Sequence, residues 1–309
     1  MPEKEITSYT CEVTTLQADQ VKSYLHDRLF TFREVPYAFW GAAKGKLNVT
    51  AFKSGKLLVQ GKDTKEWVEF FLEPEVLKKA SLGYELELAP EQLEPRIGID
   101  ESGKGDFFGP LVIASVYVNE SIVRALKEIG VKDSKLIKSD KKIEEIAKEI
   151  KRVPGCLVDV IALMPETYNR LYGKMRNVNE ILGWGHASVL ENLLCRVDAP
   201  KAISDQFART EWTIKKHLKE KGKKIEFHQR HKAESDYAVA AASIIAREEF
   251  VRRLRQLGTK AGIDLPKGAS SLVKKAAAQL IKKSLPLDAY AKMHFKTSSE
   301  LESDISNIL

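Results

Sequence analysis

The stretch Arg96-Ile97-Gly98-Ile99-Asp100-Glu101-Ser102-Gly103-Lys104-Gly105-Asp106 decides the fold of the larger part of this chain. Ile97 and Ile99 predict a buried strand, and two adjacent carboxylates, Asp100 and Glu101, end it. Burying like charges side by side is costly unless they are paired or bound to a metal. A divalent cation would resolve the conflict, so the stretch predicts a metal site at the end of a strand.

The turn that follows the carboxylates carries Lys104 between Gly103 and Gly105. Glycines allow the backbone of a polyanion to come close, and backbone amides with a lysine can cradle a phosphate. Carboxylates beside such a cradle indicate metal-assisted phosphodiester chemistry. The alternative for Lys104 is a solvated turn lysine with no ligand.

Composition limits the class of protein. The 309 residues suffice for two domains, and 43% apolar residues support packed cores. The net charge of +7 is uneven, because residues 1–90 carry −1 and residues 91–309 carry +8. A basic domain with an acidic metal site is typical of a nucleic-acid enzyme, although a basic protein without a special partner is the alternative.

The same composition predicts a cytoplasmic protein. Three cysteines without CxxC spacing favour reduced thiols. The first residues, Met-Pro-Glu-Lys-Glu, lack the apolar core of a secretory signal. The longest apolar run, residues 237–246, is about half of what a membrane helix needs. We expect no membrane association.

Residues 1–82 predict a small domain in the order strand, helix, three strands, helix. Residues 83–95 mix Gly, Pro and acidic residues and predict a linker. Within residues 44–62 lies a set of lysines without any acid, which predicts a basic face that binds substrate: Lys44, Lys46, Lys53, Lys56 and Lys62. A solvated sheet surface is the alternative.

Residues 96–309 alternate strands and helices, which predicts an α/β layer architecture. The predicted strands are 97–100, 111–118, 156–163, 200–204 and 224–227. The predicted helices are 121–128, 141–151, 179–194, 236–257 and 267–283.

Two further carboxylates occupy suggestive places. Asp205 ends a predicted strand, where ligands of open α/β sheets bind, although turn and N-cap aspartates are as common there. Glu234 precedes the alanine-rich helix, where the helix dipole alone would favour an acid. Asp236 competes with Glu234 and is a candidate for the cap itself. Together with Asp100 and Glu101, Asp205 and Glu234 form a plausible set for two magnesium ions roughly 4 Å apart.

Other polar residues allow further interpretations. His228, His231 and Glu234 have a spacing compatible with a transition metal, but histidines among basic residues fit a phosphate path or a solvated surface better. No Cys cluster or HExxH motif supports zinc. Asp133 is expected to organise a loop, leaving Ser134 and Lys135 to meet a phosphate.

Several motifs in order resemble those of the type 2 ribonucleases H, and specifically the ribonuclease HIII branch. They are GIDESGKGDFFGP (98–110), KDSK (132–135), NVN (177–179) with WGH (184–186), DQFA (205–208), KAE (232–234) with AAASIIAR (240–247), and LPKG (265–268) with KMHF (292–295). In the first segment, FKSG (52–55) and VQGK (59–62) also match. The resemblance covers nearly the whole chain.

This resemblance implies a ribonuclease H-like mixed sheet flanked by helices, preceded by a small TATA-binding-protein-like α+β domain. It implies a four-carboxylate site of Asp100, Glu101, Asp205 and Glu234 that binds two Mg²⁺ or Mn²⁺ ions, and a glutamate in the fourth place resembles HIII rather than HII. The Gly-Lys-Gly turn of the family contacts the ribose 2′ hydroxyl, the group that distinguishes RNA from DNA.

We therefore expect an endonuclease that hydrolyses the RNA strand of an RNA/DNA hybrid and leaves 5′-phosphate and 3′-hydroxyl ends. Asp100 would bridge the two ions, and the first domain would grip the hybrid. We expect a monomer without an obligate protein partner. The alternatives are a DNA-directed nuclease of the same architecture and a hybrid-binding protein without catalysis.

Overall fold

The computed structural model describes residues 6–79, 86, 89–131, 134, 137, 139–231 and 233–298. The chain divides into two compact units, Met1–Pro90 and Glu91–Leu309. The boundaries expected from composition, with a linker over residues 83–95, stay a prediction, and residues 83–85 and 87–88 of that linker lie outside the described residues.

The first unit is a five-stranded antiparallel sheet in the order β1-β5-β4-β3-β2. Its alternating burial places one sheet face against a core that also contains helix α1 and the π-helical segment Val68–Leu77. Beyond the predicted order, it contains a short strand, Thr31–Arg33. The elements are β1 (Ser8–Glu12), α1 (Thr15–Asp27), β2 (Thr31–Arg33), β3 (Ala38–Lys44), β4 (Leu47–Phe52), β5 (Lys56–Gly61) and α2 (Thr64–Trp67).

The second unit contains a mixed five-stranded sheet in the order β10-β9-β6-β7-β8. Strand β6 is central, because it pairs antiparallel with β7 and parallel with β9. This arrangement confirms the predicted mixed sheet. The strands are β6 (Arg96–Ser102), β7 (Leu111–Val118), β8 (Val158–Leu163), β9 (Lys201–Asp205) and β10 (Glu226–Arg230).

Helices cover both faces of this sheet. Among the described residues, α5 is a helix that the sequence pattern did not predict, and Pro165 at its first turn is the signal that could have found it. No helix in that part of the chain combines the length and apolar character that crossing a membrane requires. The helices are α3 (Glu120–Ile129), α4 (Asp140–Ile150), α5 (Pro165–Met175), α6 (Val178–Leu194), α7 (Trp212–Lys215), α8 (Tyr237–Ala261) and α9 (Ser271–Lys282).

Strand β6 and helix α8 pack against each other unusually closely. Gly98 leaves no room for a side chain, because a Cβ there would lie 2.1 Å from the backbone carbon of Ala238. At the start of both elements, Arg96 Nε donates to Asp236 Oδ2 at 2.8 Å, and both side chains are buried. Asp236 also accepts from the N–H of Ala238 at 2.8 Å, so it caps α8, as the sequence suggested. These contacts fix the strand that carries the candidate carboxylates against the helix.

Candidate active site

Two parallel strands bring the first candidate carboxylates together. The register of β6 and β9 pairs Ile97 with Ala202 and Ile99 with Ser204. Continuing this register places Asp100 beside Asp205, which ends β9 as predicted. Both carboxylates therefore lie at the same edge of the sheet, at the carboxyl ends of their strands.

Asp100 is buried, with 8% of its surface exposed. Burial, together with the neighbouring carboxylates of Glu101 and Asp205, raises the pKa of Asp100 well above the ordinary aspartate value. The hydroxyl of Ser243 on α8 and the N–H of Glu101, 2.7 Å from Oδ1, donate to this carboxylate and act in the opposite direction. Burial is the larger cause of this shift, and repulsion by the two neighbouring carboxylates adds to it.

Glu101 points to the opposite face of the sheet, because successive strand residues alternate. Its Oε2 lies 3.1 Å from Nε2 of His186 on α6, a side chain with no exposed surface. An ionised carboxylate only accepts, so Nε2–H is the donor. The other ring nitrogen lies 3.0 Å from the hydroxyl of Ser204 on β9. His186 thus holds one oxygen of Glu101 at the end of β6.

Asp205 and Glu234 are linked through the backbone. Asp205 Oδ1 accepts from the N–H of Ala233 at 3.1 Å. Glu234 follows in the 3-10 turn Ala233–Ser235, directly before α8, and its Oε2 is buried. The structure therefore brings Asp100, Glu101 and Asp205 into one electrostatic cluster and places Glu234 one residue from a group bonded to Asp205.

The two glycines of the turn differ in what they meet. Gly103 has φ +89°, and a Cβ there would lie 2.3 Å from the carbonyl oxygen of Pro110. A Cβ on Gly105 would meet nothing within 4 Å, and the backbone at Gly105 is not left-handed. Lys104 lies between them, with Nζ 3.8 Å from Glu101 Oε1 and 5.5 Å from the centre of the Phe207 ring. The fold requires a glycine at 103 and leaves open space at 105.

Ser134, for which a phosphate contact was predicted, lies inside the protein. It is 5% exposed, and its hydroxyl lies 2.7 Å from the hydroxyl of Ser243. Because Ser243 donates to Asp100, Ser134 stands behind the carboxylate site. Lys135 and Asp133 lie outside the described residues. A substrate contact by Ser134 or Lys135 stays a prediction.

Two other polar candidates have structural partners. Asp106 Oδ1 accepts from the N–H of Gly268 at 2.6 Å. His228 Nε2 lies 2.6 Å from Glu226 Oε1 on the same strand. These contacts do not support the alternative transition-metal site.

The five candidate lysines of the first unit are exposed, but they lie at two ends of its sheet. One group is at the β3–β4 turn and just after β5, and comprises Lys44, Lys46 and Lys62. The other is at the β4–β5 turn and comprises Lys53 and Lys56. The length of β4 separates the groups, so the predicted basic face consists of two basic ends. Their binding of substrate stays a prediction.

The carboxylate cluster fits a hard divalent cation by its donor chemistry. Carboxylate oxygens are the ligands that Mg²⁺ and Mn²⁺ prefer, and the mutual repulsion at Asp100 is the cost that a cation would relieve. In the part of the chain that the structure describes, no three His, Cys, Asp or Glu side chains are already grouped closely enough to enclose an ion. The fit therefore concerns ligand type and charge, not a preformed cage.

Sequence reasoning did not assign roles to His186 and Ser243. His186 lies within the apolar run of α6, where a histidine resembles a core residue, and Ser243 lies in the alanine-rich run of α8. Their positions on the two helices that flank β6, one on each face of the sheet, are the feature that could have identified both residues. Each contacts a different member of the adjacent carboxylate pair.

Comparisons with known proteins identify the family of the chain. The family model described as Ribonuclease HII matches residues 97–298, and a model described as a domain of unknown function (DUF3378) matches residues 10–82. A protein named Ribonuclease HIII from Protochlamydia amoebophila is 42% identical over 92% of this chain and 94% of its own length. One from Chlamydia pneumoniae is 42% identical over 95% of this chain and 97% of its own.

Solved structures give the same result for the fold. The structure described as Bst-RNase HIII in complex with Mn²⁺ has a TM-score of 0.66 and 29% identity, and it covers 97% of this chain and 100% of that chain. Aquifex aeolicus RNase H3 has a TM-score of 0.55 and 27% identity, over 93% of this chain and 100% of that chain. Both similarities extend over the two units.

Proposed function

The chain belongs to the ribonuclease HII family, among the ribonuclease HIII enzymes, and we propose that it hydrolyses the RNA strand of RNA/DNA hybrids with two divalent cations. The products would be 5′-phosphate and 3′-hydroxyl ends. The observation that supports this proposal best is the convergence of Asp100, Glu101 and Asp205 at one sheet edge, where burial and repulsion raise the pKa of Asp100.

Four carboxylates would hold the cations: Asp100, Glu101, Asp205 and Glu234. Bound divalent cations would lower the pKa of the attacking water and neutralise charge that builds on the scissile phosphate. Mg²⁺ and Mn²⁺ both suit oxygen ligands, and the Mn²⁺ complex of the Bst relative makes Mn²⁺ a natural first choice for binding experiments.

The residues around the carboxylates keep their oxygens oriented. Ser243 donates to Asp100, His186 donates to Glu101, and the N–H of Ala233 donates to Asp205. Fixed donors of this kind reduce the reorganisation that ion binding would require. Lys104, close to Glu101, supplies the positive charge that would meet a phosphate of the substrate strand.

The first unit would add affinity for the hybrid through its lysines. Contacts between lysines and phosphates carry no sequence information and weaken steeply with salt, because binding releases counterions. We propose that the chain acts as a monomer in the cytoplasm. Its thiols at Cys11, Cys156 and Cys195 are free, which suits a reducing compartment.

A cleavage assay on four duplexes tests the proposal. The substrates are an RNA/DNA hybrid, duplex DNA, duplex RNA and a DNA duplex with one ribonucleotide, each with Mg²⁺ and with Mn²⁺. We expect cleavage of the hybrid within its RNA strand, and labelled ends that show 5′-phosphate and 3′-hydroxyl groups. The single-ribonucleotide duplex measures how many ribonucleotides the site requires.

Two outcomes would contradict the proposal. Cleavage of duplex DNA alone would indicate the DNA-directed nuclease. Tight hybrid binding without cleavage in either metal would indicate a binding protein. The Asp100→Asn variant is the control for contaminating nucleases, because it should bind the hybrid but not cut it.

A further inference from the structure

Lys292 is an unusual residue of the second unit because its side chain is completely buried, with 0% of its surface exposed. A buried ammonium is costly unless each N–H has an acceptor. Its Nζ lies 2.7 Å from the carbonyl oxygen of Gly109, and 3.4 Å from those of Phe108 and Pro110. The Lys292 amine thus faces three consecutive carbonyls, to which it can donate three N–H groups when protonated and two when neutral.

These carbonyls belong to the loop that connects β6 to β7 and begins with the Gly103–Gly105 turn. The backbone next to Lys292 also holds this loop, since the N–H of Lys292 donates to Phe107 at 2.8 Å and Tyr290 accepts from Gly109 at 3.0 Å. The second half of the loop is therefore hydrogen-bonded to the segment that contains Lys292.

The fastened end of the loop touches its beginning. The carbonyl oxygen of Pro110, one of the three acceptors, is the nearest atom to the position of a Cβ on Gly103, at 2.3 Å. The Pro110 carbonyl therefore packs closely against Gly103, so a rotation of the Pro110 peptide would change the contact that supports Gly103 and the adjacent Lys104. The groups that face Lys292 from other elements are Asp106, His294 and the ring of Tyr168, 6.0 Å from Nζ.

We propose that Lys292 is a positioning residue for hybrid cleavage: by holding the carbonyls of Phe108, Gly109 and Pro110, it sets the orientation of the Gly103–Gly105 turn at the carboxylate site. The inference rests on the proposed function, because it assigns that turn a place beside the scissile linkage. Lys292 itself touches neither the carboxylates nor a substrate, and it acts only through the loop.

The test compares Lys292→Met with Lys283→Met. Lys283 controls for the loss of lysine–carbonyl bonds elsewhere in the unit. Its side chain is exposed, and its Nζ bonds to the carbonyl oxygens of Ala261 at 3.1 Å and Gly262 at 2.8 Å, at the end of α8. For both variants kcat and KM are measured on the RNA/DNA hybrid, normalised to the folded fraction from circular dichroism at the assay temperature.

We expect Lys292→Met to lower kcat about 10- to 100-fold with KM within about threefold, because misplacing a reactive geometry by about 1 Å costs on that order. Lys283→Met should keep kcat within about twofold. Lys292→Gln retains N–H donors, so it should recover part of the lost kcat. Because the Gln and Met side chains are similar in size, such a recovery would come from the N–H donors and not from the volume of the side chain.

Equal kcat for Lys292→Met and Lys283→Met would overturn the inference. If Lys292→Met does not fold, Lys292→Leu, which also lacks N–H donors, takes its place, and wild-type kcat in that variant would overturn the inference equally. A wild-type enzyme that leaves the hybrid intact would instead overturn the proposed function, so the two failures are distinguishable.

Discussion

Gly105→Ala is the substitution that best separates the fold from the substrate contact. In the free protein a Cβ at position 105 meets nothing within 4 Å, and the backbone there is not left-handed. Alanine should therefore be accepted, and it should raise the free energy of unfolding by about 0.4–1 kcal/mol by restricting the unfolded chain. If the turn meets the substrate backbone, the added methyl group occupies space that the substrate needs.

A displacement of about 1 Å at a reacting centre costs about 100-fold in rate. We therefore expect kcat/KM on the hybrid to fall about 100-fold, which corresponds to about 2.7 kcal/mol of transition-state binding. Stability and activity would thus change in opposite directions. Urea unfolding gives the first quantity and initial rates of cleavage give the second.

Two other glycines serve as controls. Gly173→Ala, on α5 with nothing within 4 Å, should gain stability and keep full activity. Gly103→Ala should lose both, because its φ is +89° and its Cβ would lie 2.3 Å from the Pro110 oxygen. Wild-type kcat/KM in a stable Gly105→Ala variant would refute the reasoning, since the turn would then not approach the substrate.

Four further outcomes are expected. Asp100→Asn should abolish turnover and keep hybrid affinity within a few fold. Without metal, it should also raise the free energy of unfolding, because no charge is then buried at that site. Wild-type turnover would contradict the assignment. His186→Ala should raise the half-saturating Mg²⁺ concentration at least about 10-fold in a metal titration of cleavage, as loss of a group that orients a metal ligand does. Removing residues 1–90 should raise KM for the hybrid and flatten its dependence on salt, and an unchanged KM would refute a binding role for the first unit. Burial lowers the pKa of Lys292 to about 7. Between pH 7 and 10 the unfolded state therefore holds more protons than the folded state, and the free energy of unfolding should rise by up to about 1.4 kcal/mol per pH unit. Urea titrations of Lys292→Met should show no such rise.

The sequence predicted the elements whose patterns are local. The alternation of Ile97 and Ile99 before two carboxylates identified β6, and the long alanine-rich run identified α8, which extends four residues beyond the predicted end at 257. Strand β2 was missed because three residues give no measurable alternation. The segment Val68–Leu77 has an apolar pattern but contains Pro74, and it forms a π-helix where the sequence predicted an ordinary helix.

The supporting contacts of the site were beyond sequence reasoning for a different reason. The partners of His186, Ser134 and Lys292 lie far away in the chain, so nothing in the local pattern distinguishes them from core or surface residues. Ser134 shows the consequence most directly. Its hydroxyl contacts that of Ser243, 109 residues further along the chain, and no local pattern predicts such a contact.

The adjacent carboxylates also explain why this site needs a sheet covered on both sides. Side chains of successive strand residues point to opposite faces, so Asp100 and Glu101 cannot be held by the same helix. Ser243 on α8 holds the first, and His186 on α6 holds the second. Each helix thus orients one carboxylate ligand of the two proposed cations. A cavity made under either helix should therefore weaken ion binding even when every carboxylate is intact.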